Sequence, residues 1–254
     1  MNFYKYQGTG NDFIMVDNRT ETFSHSTSLI HQLCDRRFGI GADGLILLEN
    51  DSETDFKMVY YNADGNESTM CGNGGRCIAA FAHHLNIIGS KTRFKAIDGI
   101  HKAEINGQIV KLKMGDVHHI ENHENYSVLN TGSPHYVQFV EDVKSIDVYN
   151  EGKKIRNNNI FKNEGINVNF VTEISDNEIF VRTYERGVED ETYSCGTGVT
   201  ASALTFMQKH YLNSLTVKTL GGELKVYAEK SENGFKNVWL EGPAKLVFEG
   251  NTEV

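Results

Sequence analysis

The chain has 254 residues, of which 39% are hydrophobic, so it is long enough to bury the core of one large domain or of two small ones. Its formal net charge of −9 at pH 7 opposes any broad electrostatic attraction to nucleic acid or to an anionic membrane. We therefore expect a globular protein that binds neither of them.

The N-terminus and the cysteines indicate the compartment. Residues 1–5 do not open an apolar signal segment, and no stretch approaches 18 consecutive apolar residues, so we expect a cytoplasmic protein. The four cysteines include no Cys-x-x-Cys pair. They are too few for a disulfide framework, and their spacing does not fit a structural zinc site. We therefore expect free thiols and no metal.

Taken in chain order, short β-branched and aromatic runs predict strands, and three longer stretches predict helices. The clearest strand-like runs are Phe13–Val16, Leu45–Leu48, Tyr136–Val140 and Val168–Val171. The predicted helices are Ser26–Arg37, Gly75–Leu85 and Val199–Tyr211. The second and third helices are rich in alanine and other small residues, which suits a buried central position.

An internal repeat covers most of the chain. The segments Glu67–Gly74 and Glu191–Gly198 share the pattern Glu-Ser/Thr-x-x-Cys-Gly-polar-Gly, and their cysteines lie 124 positions apart. Three further pairs match in the same order at offsets of 122 to 126: Thr9–Asn11 with Thr131–Ser133, Gly39–Ile40 with Gly165–Ile166, and Asp98–Lys102 with Gly221–Lys225. The pattern predicts two copies of one strand-rich α/β (α+β) unit. We expect an N-terminal half of residues 1–115, with 247–254 as a candidate completion, and a C-terminal half of residues 116–246.

The two Cys-Gly-polar-Gly turns, at Cys71 and Cys195, favour chemistry over packing. At the first turn of a helix, backbone N–H groups and the helix dipole favour negative charge, so a thiol there ionises more readily. The adjacent glycines let a carboxylate approach those N–H groups. Inverting a carbon centre needs a base on one face and an acid on the other, which two equivalent thiols provide without a cofactor. Cys34 and Cys77 lack such a turn and are expected to be core residues.

Eight stretches of the chain resemble the diaminopimelate epimerase family, in the family's order and over nearly the whole length. They are Gly8–Phe13, Arg37–Asp43, Tyr61–Gly65, Met70–Cys77, Thr131–His135, Gly165–Val168, Tyr184–Gly187 and Glu191–Gly198. The resemblance implies two similar domains, each wrapped around a central helix, with the site in the cleft between them. It also implies a homodimer and no cofactor.

The resemblance assigns roles by motif. Cys71 and Cys195 would be the acid/base pair that interconverts LL- and meso-diaminopimelate, and His135 and Glu185 would tune the two thiols. The residues implied to bind the substrate are Asn11, Asn62, Asn167, Glu185 and Arg186, with Gly72-Asn73 and Gly196-Thr197 holding the reacting carboxylate. The residues agree with this on charge, because a substrate with two amino-acid heads needs ionic partners such as Glu185-Arg186 away from the thiols.

The chain departs from the family pattern at three places. Gly44 stands where many members have glutamine, and Ser133 stands where many have asparagine. The loop Gly187–Glu191 is one residue longer than usual, which adds an acid, Glu189 or Asp190.

Three alternative functions stay open at this point. One is a racemase or isomerase of the same fold, such as a proline racemase or a phenazine-type isomerase, although the phenazine-type enzymes do not use this cysteine pair. Proline lacks a second amino-acid head and would leave Glu185-Arg186 without a partner. The others are a non-catalytic amino-acid-binding protein and a redox sensor that closes a disulfide between Cys71 and Cys195.

Overall fold

The computed structural model describes residues 1–253, and the chain divides into two compact units. Unit 1 comprises Met1–Leu112 together with the C-terminal segment from Gly242, and unit 2 comprises Lys113–Glu241. The limits expected from the repeat period, 115 and 246, lie a few residues from these. None of the helices in residues 1–253 has the length and apolar character needed to span a membrane.

Strands dominate both units. They are β1 (Asn2–Gly8), β2 (Asn11–Asp17), β3 (Gly44–Glu49), β4 (Phe56–Asn62), β5 (Glu67–Ser68), β6 (Lys91–Ala96), β7 (Gly99–Asn106), β8 (Ile109–Lys113), β9 (Ile120–Asn122), β10 (Ser127–Asn130), β11 (Pro134–Phe139), β12 (Asn167–Ser175), β13 (Glu178–Glu185), β14 (Asp190–Thr192), β15 (Ser214–Thr219), β16 (Gly222–Lys230), β17 (Phe235–Pro243) and β18 (Lys245–Asn251). The helices are α1 (Thr27–Cys34), α2 (Gly72–His84), α3 (Val148–Arg156) and α4 (Gly196–His210), with a short 3₁₀ turn at Val143–Ser145.

In unit 1 the strands follow one another as β18-β1-β2-β3-β4-β6-β7-β8, with the short β5 also paired to β4. The β2–β3 and β4–β6 pairs are parallel, and the others are antiparallel. Helix α1 lies in the chain between β2 and β3, and α2 lies between β5 and β6 and packs against β1, β2 and β7.

Unit 2 repeats this arrangement strand for strand. Its order is β9-β10-β11-β12-β13-β15-β16-β17, with the short β14 paired to β13. The β11–β12 and β13–β15 pairs are parallel, and they hold the same places in this order as β2–β3 and β4–β6 do in unit 1. Helix α3 takes the place of α1 and α4 takes the place of α2. The predicted pair of pseudo-symmetric, strand-rich units is therefore confirmed.

The two alanine-rich helices are central in their units, as predicted. Every residue of α2 from Gly72 to Ala82 is buried, and α4 is buried from Gly198 to Met207. Small side chains allow strands to pack closely around each helix. The core is thus built on the same two elements that follow the Cys-Gly-polar-Gly turns.

The predicted helix limits were wrong at three ends. Helices α2 and α4 each begin three residues earlier than expected, at Gly72 and Gly196, because the glycines of both turns adopt helical geometry. Helix α1 ends at Cys34 rather than Arg37. The Asp35 carboxylate accepts hydrogen bonds from the N–H groups of Arg37 and Phe38, both at 2.7 Å, and this local turn competes with the helix.

Candidate active site

Cys71 is the N-cap residue of α2. Its backbone is extended (φ −95°, ψ 150°), and its Sγ accepts a hydrogen bond from the N–H of Gly74 at 3.2 Å. The side chain is partly exposed. In this position the sulfur replaces the serine or aspartate oxygen that usually caps a helix, and it meets the positive end of the helix dipole.

Cys195 caps α4 in the same way but with different partners. Its backbone is also extended (φ −103°, ψ 112°), and the side chain makes no capping hydrogen bond to the helix backbone. Its Sγ lies 3.4 Å from the hydroxyl of Thr197, and the residue is only 6% exposed. A hydroxyl at this distance can donate to a thiolate or accept from a thiol.

The second glycine of each turn is closely surrounded, and the crowding is much tighter at Gly198 than at Gly74. A Cβ at Gly74 would lie 3.1 Å from Cys71 Sγ. A Cβ at Gly198 would lie 2.4 Å from Asn169 Oδ1 and 3.4 Å from both Cys195 Cβ and His135 Cε1. These glycines, which were expected to admit a carboxylate, therefore also leave room for side chains of the protein: Cys71 at Gly74, and Asn169 at Gly198. The short distance to Cε1 also places His135 close to the Cys195 turn.

His135 is fully buried on β11, and burial lowers its pKa from 6.5 to about 3, with a smaller contribution from the positive charge of Arg186. Asn169 donates from Nδ2 to the Tyr136 carbonyl at 2.8 Å, while its Oδ1 accepts from Thr183 Oγ1 at 2.9 Å. Nδ2 of Asn169 also lies 3.2 Å from Nδ1 of His135, so Nδ1 is the acceptor. The imidazole is therefore neutral and carries its proton on Nε2, a buried atom without a hydrogen-bond partner among residues 1–253.

Asn167 and Arg186 form one network with Ser133. Nδ2 of Asn167 donates to Ser133 Oγ at 2.8 Å and to the Pro134 carbonyl at 2.9 Å, and its Oδ1 accepts from the N–H of Arg186 at 2.9 Å. The Arg186 guanidinium donates to the Glu164 carbonyl at 2.9 Å and to Ser133 Oγ at 3.3 Å. All polar atoms of the Asn167 side chain are thus engaged within the protein, and Asn167 fixes the backbone from which Arg186 extends.

Glu185 and the first turn of α4 are each tied to a threonine. Glu185 Oε2 accepts a hydrogen bond from Thr192 Oγ1 at 2.9 Å. The Thr131 hydroxyl donates to the carbonyl of Thr197 at 2.8 Å, which anchors the cysteine turn to the loop before β11. The repeated Thr-Gly motif of the sequence therefore supports the turn rather than forming a separate element.

Asn11 opens β2 in unit 1, and its Oδ1 is buried with no hydrogen-bond partner among residues 1–253. The next residue, Asp12, is held by Arg36 at 2.7 and 2.9 Å and by Lys5 at 2.8 Å. Burial opposes ionisation of Asp12, but these hydrogen bonds outweigh it and keep the pKa of the carboxyl well below its usual range. The buried Oδ1 of Asn11, next to the firmly held Asp12, is therefore a suitable acceptor for the N–H donors of an ammonium group. Asn62 lies at the end of β4 in the same unit and is half-buried.

Sequence reasoning did not single out Arg76, Thr9 or Asn169. Arg76 is fully buried one turn into α2, where Nη2 donates to Asn73 Oδ1 at 3.0 Å and to Thr9 Oγ1 at 3.2 Å. The sequence did hold one signal for Arg76, because an arginine is unusual among the small and apolar side chains of the predicted central helix. Thr9 lies in the repeated segment Thr9–Asn11, which was a signal that its position matters, whereas for Asn169 the sequence carried none.

The structure shows the surroundings of the three departures from the family pattern. A Cβ at Gly44 would lie 2.5 Å from the Tyr61 carbonyl and 2.6 Å from Cε2 of Tyr60, so glutamine does not fit there. Ser133 is the hydrogen-bond acceptor for Arg186 described above. In the longer loop, Glu189 pairs with Arg156 of α3 at 3.2 Å, so the added acid is bound to its own unit.

The chain is similar to known proteins over nearly its whole length. The diaminopimelate epimerase family model matches residues 3–120 and 127–247. A diaminopimelate epimerase of Flavobacterium psychrophilum is 57% identical over 253 residues, covering 98% of this chain and 99% of that protein. One from Aquifex aeolicus is 39% identical, covering 98% and 97%.

Solved structures share the fold at low identity. A PhzF-family phenazine biosynthesis protein of Bacillus anthracis aligns with a TM-score of 0.77 at 13% identity, covering 100% of this chain and 99% of that one. A hydroxyproline epimerase from Agrobacterium vitis aligns with a TM-score of 0.71 at 14% identity, covering 98% and 91%. The family match over nearly the whole chain defines an enzyme of the isomerase class. The chain belongs to the diaminopimelate epimerase family.

Proposed function

We propose that this protein interconverts LL- and meso-2,6-diaminopimelate, in the synthesis of lysine and peptidoglycan precursors, by exchanging an α-proton with two thiols and without a cofactor. The observation that carries the proposal is the repeated cysteine cap: Cys71 and Cys195 each begin the central helix of a unit. One thiolate removes the α-proton, and the other thiol supplies a proton to the opposite face of the same carbon.

The helix N-termini supply the stabilisation that this reaction needs. The α-hydrogen of an amino acid is a weak acid, so the negative charge that builds up on the carboxylate must be stabilised as the proton leaves. We assign this task to the backbone N–H groups of Gly72-Asn73 and of Gly196-Thr197, which lie at the first turns of α2 and α4. The Thr197 hydroxyl, 3.4 Å from Cys195 Sγ, is an additional donor to the thiolate.

His135 and Glu185 are proposed to tune the thiols. A neutral imidazole does not form a thiolate–imidazolium pair, so His135 acts through its Nε2–H, which is available as a hydrogen-bond donor near the Cys195 turn. Glu185 is held by Thr192 and carries negative charge that opposes ionisation of a nearby thiol.

The second amino-acid head of the substrate accounts for the remaining polar residues. Arg186 offers a guanidinium to the distal carboxylate, and Glu185 offers a carboxylate to the ammonium group. The orphaned Oδ1 of Asn11 and the side chain of Asn62 are proposed as further partners of the substrate. Asn167 contributes by orienting the backbone N–H of Arg186 and the Ser133 hydroxyl.

The decisive experiment incubates the reduced protein with meso-diaminopimelate in deuterated water and follows α-deuterium by mass spectrometry. We expect deuterium incorporation and formation of the LL isomer without added cofactor, and loss of both in Cys71→Ala and in Cys195→Ala. Cys34→Ala is the matched control, because burial raises the pKa of that thiol to about 12 and no role is assigned to it. No incorporation by the reduced wild-type protein contradicts the proposal.

The same experiment separates the rival functions. Incorporation into proline but not into diaminopimelate identifies a proline-type racemase. Saturable binding of diaminopimelate with no incorporation identifies a binding protein. A redox sensor instead requires a Cys71–Cys195 disulfide, which peptide mapping after mild oxidation detects.

We propose further that the protein works as a homodimer in the cytoplasm. Its four cysteines are all free thiols, which suits a reducing compartment. Phe38 is 85% exposed and lines one surface hollow with Phe248, and Leu246 and Val247 of β18 are exposed as well. This apolar patch of unit 1, defined by Phe38 and Phe248, is the proposed contact between two copies. Sedimentation equilibrium tests the stoichiometry.

A further inference from the structure

Arg76 is a buried cation without a counter-ion. Its side chain is fully buried, and Nη1 donates to the Gly72 carbonyl at 3.2 Å. Nη2 donates to Thr9 Oγ1 and Asn73 Oδ1, while Nε has no hydrogen-bond partner among residues 1–253. All of its partners are neutral, and no carboxylate of the described chain pairs with it.

Such an arrangement is unfavourable for a purely structural residue. A buried charge is normally paired, because removing it from water costs several kcal/mol. Burial lowers the pKa of Arg76 to about 10, while its interactions with the thiols of Cys77 and Cys71 act in the opposite direction. The guanidinium therefore stays protonated at neutral pH, and its full positive charge is buried beside the first turn of α2.

The repeat provides an internal comparison. The position equivalent to Arg76 in unit 2 is Thr200, 124 positions later, and it is also fully buried. Thr200 Oγ1 donates to the Gly196 carbonyl at 2.9 Å, the same bond that Arg76 makes to Gly72. A neutral hydroxyl is therefore sufficient to close this turn. What arginine adds in unit 1 is charge and a hold on Asn73.

We propose that Arg76 is a positioning residue of the epimerase reaction: its charge stabilises the negative charge that develops at Cys71 and on the carboxylate bound at the first turn of α2, and its Nη2 fixes the Asn73 side chain. The bound anion then supplies the counter-ion that the folded protein lacks. This inference rests on the proposed function only for the identity of the carboxylate. The effect on Cys71 belongs to the protein without substrate.

The test measures how fast iodoacetamide alkylates each cysteine between pH 5 and pH 10, with the Cys71 and Cys195 peptides quantified separately by mass spectrometry. Since only the thiolate reacts, the pH of half-maximal rate reports the stability of that thiolate. Arg76→Met removes the charge and keeps much of the length of the side chain. Arg76→Lys keeps the charge.

A second pair of variants leaves Arg76 in place. Thr9 is buried with φ +52°, a conformation that aspartate and asparagine tolerate better than a β-branched residue. Thr9→Asp sets a carboxylate beside Nη2 of Arg76 and neutralises its charge, whereas Thr9→Asn is the uncharged control of equal shape. If Arg76→Met does not fold, this pair decides the matter.

We expect the Cys71 profile to move upward in Arg76→Met and Thr9→Asp, so that alkylation of Cys71 at pH 7 slows roughly tenfold or more. Arg76→Lys and Thr9→Asn should stay close to wild type, and the Cys195 profile should be unchanged in all four. Unchanged Cys71 profiles in Arg76→Met or Thr9→Asp overturn the inference. So do equal shifts in Thr9→Asp and Thr9→Asn. Because alkylation needs no substrate, a failure of the proposed epimerase activity would be visible separately in the deuterium experiment.

Discussion

Replacing Gly198 by alanine tests how tightly the Cys195 turn is built, and replacing Gly74 makes the matched change in the other unit. Both glycines lie two residues into their helices, where alanine is favoured over glycine by about 1 kcal/mol. On helix propensity alone, both substitutions should stabilise the protein.

The surroundings reverse this expectation for one of the two. The new Cβ at residue 198 would lie 2.4 Å from Asn169 Oδ1, so Asn169 must move, and it is fully buried with hydrogen bonds to His135, Tyr136 and Thr183. Weakening these bonds costs about 3 kcal/mol, which leaves a net loss of about 2 kcal/mol in the free energy of unfolding. At residue 74 the Cβ meets only the ends of flexible side chains, at 3.1 Å or more. Its net effect should stay within about 1 kcal/mol.

Thermal unfolding followed by circular dichroism measures the difference. For a chain of this size, about 2 kcal/mol corresponds to a fall in Tm of about 4–8 °C for Gly198→Ala, with little change for Gly74→Ala. A Tm for Gly198→Ala equal to or above that of Gly74→Ala would refute this account of the Asn169 contact.

Three further predictions concern pH, the long loop and assembly. The folded-state pKa of His135 is about 3, below the ordinary 6.5, so between these pH values only the unfolded chain binds a proton at this residue. The free energy of unfolding should therefore fall by about 2 kcal/mol from pH 7 to pH 5. Urea titrations of His135→Asn should lack this part of the loss. Glu189→Gln weakens a half-exposed pair with Arg156 and should lower the free energy of unfolding by less than about 1 kcal/mol, with kcat unchanged; a large loss of kcat would place the loop at the substrate. Phe248→Asp should sediment as a monomer if the apolar patch is the dimer contact, and a dimer of wild-type affinity would exclude the patch.

Much of the fold was readable because the chain contains it twice. The repeat predicted two pseudo-symmetric units and placed Cys71 and Cys195 at equivalent helix starts. Helix α3 was not predicted, because it is short, four of its nine residues are charged and Gly152 lies in the middle. That glycine packs against Tyr184, where a Cβ would lie 2.3 Å from the tyrosine Cβ. Packing against β12 and β13, which no local pattern reports, adds to the N-cap that Asp147 provides for α3.

The site shows the same division between local and distant information. Motifs located the thiols and the Glu185-Arg186 pair, since these residues are contiguous in sequence. The partners that fix protonation and orientation come from other strands: Asn169 holds His135 from 34 positions away, and Thr9 meets Arg76 from 67 positions away. Their roles depend on strand register, which the sequence alone does not determine.

The pairing of β18 with β1 has a consequence for synthesis on the ribosome. Unit 2 is one continuous segment, Lys113–Glu241, whereas β1 pairs with a strand made after all the others, with Asn2 opposite Asn251. Unit 2 therefore needs no strand made after β17, whereas the unit that is translated first needs the later strand β18. Until β18 emerges, β1 has one exposed edge. Cys71 thus belongs to a unit whose sheet is complete only once β18 has been made.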